Sequence, residues 1–341
     1  MPSHVLALAG GVGGAKLALG LSRILPPEQL TIVVNTGDDD VFHGLHVSPD
    51  LDTVMYTLAG LANREQGWGL EGETFSAMDR LEALGGEAWF RLGDRDLATH
   101  LRRTELLHAG MTLAQVTAAL CARLGVATNI TPMTNSPVRT MVETDQGVLP
   151  FQEYFVHRRC EPRVRSIRFE GASDAVPAPA FDHALERATT VVICPSNPFV
   201  SVDPILAIPG VRTRLRQTRA VRLAVSPIIG GRAVKGPAAK MLAELGRESS
   251  CAAVAAHYQG LCDVFVLDEA DASAAPAIAA LGMRAAVAPT LMQNEADKVG
   301  LARRVLEAAQ ASPVPSTVPF DMALRQGSGE PQGTPRTGSH R

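Results

Sequence analysis

Short apolar runs punctuate the chain, separated by stretches whose apolar residues recur at helical spacing. Val5-Leu-Ala-Leu-Ala9, Leu30-Thr-Ile-Val-Val-Asn35, Thr189-Thr-Val-Val-Ile-Cys194, Val221-Arg-Leu-Ala-Val225, Asp263-Val-Phe-Val-Leu267 and Arg284-Ala-Ala-Val287 read as strands covered on both faces. Helices are read over residues 17–24, 53–60, 76–84, 97–107, 112–124, 181–188 and 295–309. This alternation predicts an α/β fold built on a doubly wound, mostly parallel Rossmann-like sheet. From Thr131 to Arg168 the pattern becomes strand-like and rich in arginine, so residues from about 60 to 170 read as an inserted, smaller α/β-rich lid region. The expected organisation is a single nucleotide-binding domain over 1–310, followed by a Pro-, Ser- and Gly-rich disordered tail over 311–341.

The first strand ends abruptly in Gly10-Gly-Val-Gly-Gly14, four glycines in five residues, before the helical spacing begins. Glycines there let the backbone bend sharply and approach a ligand, while the free amides and the dipole of the helix start attract an anion, naturally a phosphate. Two familiar templates fail. G-x-G-x-x-G would place its third glycine on Lys16, and no acidic residue ends the second strand. A Walker loop needs Gly-Lys-Ser/Thr, whereas Lys16 follows Ala15 and precedes Leu17. In the first helical turn, Lys16 would oppose the dipole unless an anion were present.

The second strand runs straight into Thr36-Gly-Asp-Asp-Asp40 and on to Ser48-Pro-Asp-Leu-Asp-Thr53, beside the glycine turn at the carboxyl edge of the sheet. Asp38, Asp39, Asp40, Asp50 and Asp52 offer hard oxygen ligands of the kind Mg²⁺ accepts when it bridges a diphosphate. Each aspartate alone is equally an N-cap or a solvated turn; the cluster beside a phosphate loop favours function. Ser196-Asn-Pro198 and Ser226-Pro-Ile-Ile-Gly-Gly231, with Lys235, end two further strands and are expected to share one nucleotide site. Arg91, Asp94, Arg95, Asp96 and His100 crowd around one glycine, a pattern that surface ion pairs also produce. Arg158, Arg159, Arg163, Arg165 and Arg168 could meet a phosphorylated substrate or form a solvated face, and Trp68 could stack on a planar ligand or anchor a loop.

Composition narrows these choices. With 341 residues, 46% of them hydrophobic, the chain can bury a large core. A formal net charge of -3, 4% aromatics and no basic block argue against nucleic acid. No stretch approaches ~18 uninterrupted apolar residues and no leader pattern precedes the first strand, so a cytoplasmic protein without membrane contact is expected. Five cysteines without C-x-x-C or zinc spacing read as reduced thiols.

Gly10-Gly-Val-Gly-Gly-Ala-Lys16, Asn35-Thr-Gly-Asp-Asp39, Ser48-Pro-Asp-Leu-Asp-Thr53, Phe90-Arg-Leu-Gly-Asp-Arg-Asp96, Ser196-Asn-Pro198 and Ser226-Pro-Ile-Ile-Gly-Gly231 with Lys235-Gly-Pro237 occur in this order. Together they resemble the 2-phospho-L-lactate transferase family of coenzyme F-420 biosynthesis, from Val5 to about Leu306. The resemblance implies a Mg²⁺-dependent transferase. It would move a phosphorylated three-carbon acid (2-phospholactate, phosphoenolpyruvate or phosphoglycerate) from a guanylyl-diphosphate donor to the ribityl hydroxyl of the deazaflavin Fo, giving an F-420-0 type product and GMP. The family's Fo-binding residues fall on Asp50 and Arg91, with Asp50 also the catalytic group; some relatives carry lysine in place of Arg91. Mg²⁺ is expected on Asp50, Asp38 and Asp39. The nucleotide and its phosphates are expected on Gly11, Val12, Gly13, Gly14, Lys16, Asn35, Ser196, Asn197, Gly230, Gly231 and Lys235. The resemblance also suggests a homodimer. A related group of non-catalytic, nucleotide-sugar-binding regulatory proteins shares the strand, turn and sheet and is the alternative reading.

Overall fold

The computed structural model describes residues 4–311; of the tail expected over 311–341, all but Ala311 lies outside them. The apolar runs form β1 (Val5–Ala9), β2 (Leu30–Val34), β4 (Thr190–Ile193), β5 (Val221–Val225), β6 (Val264–Leu267) and β7 (Arg284–Val287), joined by a further strand, β3 (Asn129–Pro132). All seven pair in parallel, in the spatial order β7-β6-β5-β4-β1-β2-β3. Side chains alternate across the pleat: Leu6 and Leu8 of β1 enter one core, Val5, Ala7 and Ala9 the other. Unbroken apolar runs are what a sheet buried on both faces requires.

β3 corrects the reading of residues 60–170 as one insertion. The run is short and contains Pro132, which a sheet tolerates at its edge, where β3 lies. It separates a helical layer from an antiparallel sheet of Arg139–Thr144, Gly147–Pro150 and Val164–Glu170. Of its arginines, Arg168 pairs with Glu143 and Glu170 of the same sheet, while Arg139 reaches out to Asp40.

Four of the helices bear on the site: α1 (Gly11–Ile24), α2 (Pro49–Ala59), α3 (Asp94–His108) and α4 (Glu295–Gln310). α1 packs on both α2 and α4. β2 lies on one side of β1 and β4 on the other, so the chain direction of the crossovers reverses beside β1. The loops leaving β1, β2 and β4 meet at this edge of the sheet, the usual place for a ligand in an open α/β sheet. Among the described residues all five cysteines are free, and no helix is long and apolar enough to cross a membrane.

Candidate active site

α1 begins immediately after the first strand, at Gly11, whose φ of +61° is a left-handed value that glycine adopts freely. The whole glycine turn is thus the first turn of the helix, earlier than apolar spacing could show, because glycines carry no hydrophobic period. This corrects the placement of Lys16, which lies in the second turn, where the dipole argument loses its force. Its Nζ donates to the Met292 carbonyl at 2.7 Å.

The loop after β4 is pressed onto the turn. A Cβ on Gly13 would run into the Pro195 carbonyl, and one on Gly14 would stand 2.6 Å from Ser196 Oγ. Ser196 Oγ accepts from the Gly10 amide at 3.1 Å and donates to the Gly10 carbonyl at 2.8 Å, fixing the last residue before the helix. Asn197 Oδ1 accepts from the Phe199 amide at 3.0 Å, so this residue shapes its own loop.

On the other side, Asn35 is completely buried and gathers the aspartate loop around one side-chain amide. Its Nδ2 donates to Asp38 Oδ1 at 3.0 Å, Asp50 Oδ2 at 2.9 Å and the Val200 carbonyl at 3.2 Å, while Oδ1 accepts from the Gly37 amide at 2.8 Å. The second oxygen of Asp50 accepts from the Gly11 amide at 2.6 Å. Burial pushes Asp50 up to about 6, against the pull of Asn35 and Gly11. Burial, then the charges of Asp50 and Asp39, holds Asp38 well above the usual carboxylate range. Asp39 stands behind them: Oδ2 accepts from Ser48 Oγ at 2.6 Å, and Oδ1 is buried with no hydrogen-bond partner among the described residues. Among the described residues Asp38 and Asp50 are held by amide donors and not by a cation, so this oxygen set fits a hard divalent ion bound through one or two carboxylates.

A cavity of about 620 Å³ opens over these groups. Gly11, Val12, Gly13, Lys16, Asp38, Asp50, Arg91, Ser196, Asn197 and Lys235 all line it. Asn35, Asp39 and Gly14 lie behind the wall. Gly230 and Gly231 are turned away: the Gly230 amide donates to the Asp271 carboxylate at 3.0 Å, and Ile229, Val234 and Gly236 face the cavity instead. Arg91 reaches the wall with its guanidinium on Asp79, at 2.5 Å, and 5.2 Å from the Phe75 ring centre. Lys235 Nζ donates to the Glu65 and Gln66 carbonyls, at 3.2 and 2.5 Å, which pins the Trp68 loop across the mouth. Burial lowers the Lys16 ammonium below its ordinary value, and the charges of Lys235 and Lys298 lower it further.

Sequence reasoning missed a buried network at the far end. Arg103 is 2% exposed and grips Asp52 with both terminal nitrogens; Tyr56 donates to Asp96 Oδ1 at 2.5 Å. Asp96, His100 and Arg103 succeed one another at helical spacing on α3, a polar stripe facing α2. That period is the signal in the sequence; the exposed Arg95 and Arg102 beside it give the same segment the look of a solvated face.

A family model described as 2-phospho-L-lactate transferase CofD matches residues 5–299. The chain belongs to the 2-phospho-L-lactate transferase family. It is 44% identical to a phosphoenolpyruvate transferase of Streptomyces griseus, over 90% of this chain and 98% of that protein. It is 41% identical to a 2-phospho-L-lactate transferase of Methanosarcina mazei, over 89% of this chain and all of the relative. A solved structure from Bacillus halodurans, 16% identical, shares the fold with a TM-score of 0.59, covering 90% of this chain and all of that one. Within the 2-phospho-L-lactate transferase family the chain is a transferase of the coenzyme F-420 pathway, and the α/β architecture is that of its structural neighbours.

Proposed function

We propose that the chain transfers a phosphorylated three-carbon acid from a guanylyl-diphosphate donor to the ribityl hydroxyl of the deazaflavin Fo. One observation carries the reading: Asp50 is bonded both to the amide at the head of the glycine turn and to the amide that holds Asp38. The carboxylate suited to the acceptor hydroxyl and the turn suited to the diphosphate are therefore one rigid unit. In the reaction the hydroxyl oxygen attacks the phosphorus that bears the acid, the bond from that phosphorus to the GMP oxygen breaks, and the hydroxyl proton passes to Asp50. Burial biases the Asp50 carboxyl toward its protonated form, the direction in which it would take up such a proton.

The α1 amides and Lys16 would hold the diphosphate, and Ser196 keeps the turn in shape for it. Mg²⁺ on Asp38 and Asp50 would neutralise phosphate charge. Phe90, Phe151, Phe155 and Trp68 offer the cavity flat apolar surfaces for the deazaflavin, and Phe151 and Phe155 already stack at 5.4 Å. Nucleotide chromatography tests the proposal. GMP release is expected only when protein, Fo, Mg²⁺ and a guanylyl donor are all present; tight nucleotide-sugar binding without release would support the regulatory reading instead.

A further inference from the structure

Asp52, Asp96 and His100 carry ligand atoms within 4.8 Å of one another, a spacing that a metal ion could use. Their partners point elsewhere. Arg103 already neutralises Asp52, and its NH1 faces His100 Nδ1 at 3.1 Å. An arginine only donates, so Nδ1 accepts, and the network assigns the ring proton to Nε2. A protonated Nε2 has no lone pair for a metal. It is a donor, and it has no hydrogen-bond partner among the described residues although His100 is 1% exposed.

Beside it stands Asp96 Oδ2, 3.4 Å away, a long contact that leaves the Nε2–H without a well-formed hydrogen bond. Tyr56 engages the other oxygen of Asp96, and the Glu73 carboxylate accepts from its amide, so the carboxylate is held from behind. Both residues lie on the cavity wall. Buried donors are rarely left without a well-formed bond, and a buried donor beside a partly exposed carboxylate oxygen has one simple complement: an N–H next to a C=O.

We propose that Asp96 and His100 form a binding subsite for the edge of a cyclic amide or imide, Asp96 accepting from the ring N–H and His100 donating to the adjacent carbonyl. This rests on the transferase reading, which brings two such edges to the cavity, one on the guanine base and one on the deazaflavin. Tyr56 and Arg103 orient the pair without touching the ligand.

Equilibrium binding distinguishes the sources. The probes are Fo and its ring-N-methylated derivative, and GMP and 1-methyl-GMP, titrated into the wild-type chain, Asp96→Asn and His100→Gln. For one of the two ligands, methylation is expected to weaken wild-type binding at least tenfold, and Asp96→Asn to cost the parent a similar factor while leaving the methylated compound within twofold. His100→Gln keeps a donor and should retain most of the affinity. The pair of ligands that responds names the occupant. If both methylated compounds bind the wild type within twofold of their parents, the subsite is wrong, a result that does not depend on any variant folding. If neither parent binds the wild type, the transferase reading falls, and this inference with it.

Discussion

Asp50 Oδ1 accepts a hydrogen bond from the Gly11 amide at 2.6 Å, tying the head of α2 to the head of α1. The bond joins the loops leaving β1 and β2, so a change at Asp50 is felt at the glycine turn. Asp50→Asn is expected to keep the fold and to lower transfer by at least about 10²-fold, the scale for a positioned proton acceptor. Turnover within tenfold of the wild type would remove Asp50 from the mechanism.

The same residue sets a pH dependence. Its folded-state value, about 6, lies above the ordinary 3.8, so the folded chain prefers the protonated form. That stabilisation is complete below about pH 4 and is lost as pH rises through 6. The ceiling is about 3 kcal/mol, less about 1 kcal/mol for the acceptor that asparagine lacks. Without Mg²⁺, Asp50→Asn should therefore melt above the wild type at pH 7.5 and not at pH 4. Calorimetry at the two pH values checks the sign, and added Mg²⁺ should narrow the gap by stabilising the wild type.

Asn35 answers two carboxylates, a carbonyl and an amide at once. Asn35→Ala leaves the Gly37 amide without its side-chain acceptor, strips the Val200 carbonyl of one donor and removes the donor shared by Asp38 and Asp50. A loss of about 2–4 kcal/mol is expected from urea midpoints, partly restored by Mg²⁺.

At Gly13 the obstacle is steric, since any Cβ meets the Pro195 carbonyl. Gly13→Ala should cost at least about 2 kcal/mol and abolish donor binding by separating the turn from the β4 loop. Gly300 on α4 is the control: nothing lies within 4 Å of its Cβ position, and alanine there should stabilise by about 0.5–1 kcal/mol.

Lys16 and Lys235 both line the cavity, and Lys16 is the cation proposed to hold the diphosphate. Lys16→Met should raise the donor KM about tenfold or more while thermal stability changes little, consistent with a lost charged hydrogen bond. An unchanged KM would leave Lys16 with only its Met292 contact.

Much of the architecture was legible because the strands are buried on both faces and therefore read as plain apolar runs. β3 was not, since four residues with Pro132 carry too little pattern to separate a sheet edge from a loop. The glycine turn, the aspartate loop and Ser196 were legible as types of chemistry, and all reach one crevice because their strands flank the point where the crossovers reverse. What the sequence could not show was orientation. Asn35 and Ser196 turned out to hold the loops together, and Gly230 and Gly231 face away from the cavity. The Tyr56, Asp96, His100 and Arg103 network depends on α2 meeting α3, a contact between segments far apart in sequence.

The decisive measurement is the mass of Fo before and after incubation with the protein, Mg²⁺ and each of the three guanylyl donors. A new phosphodiester is expected, heavier than Fo by the phosphorylated three-carbon acid of at least one donor and formed in step with GMP. Recovery of unmodified Fo and intact donor in every reaction, with the protein folded and nucleotide bound, would contradict the proposed transfer.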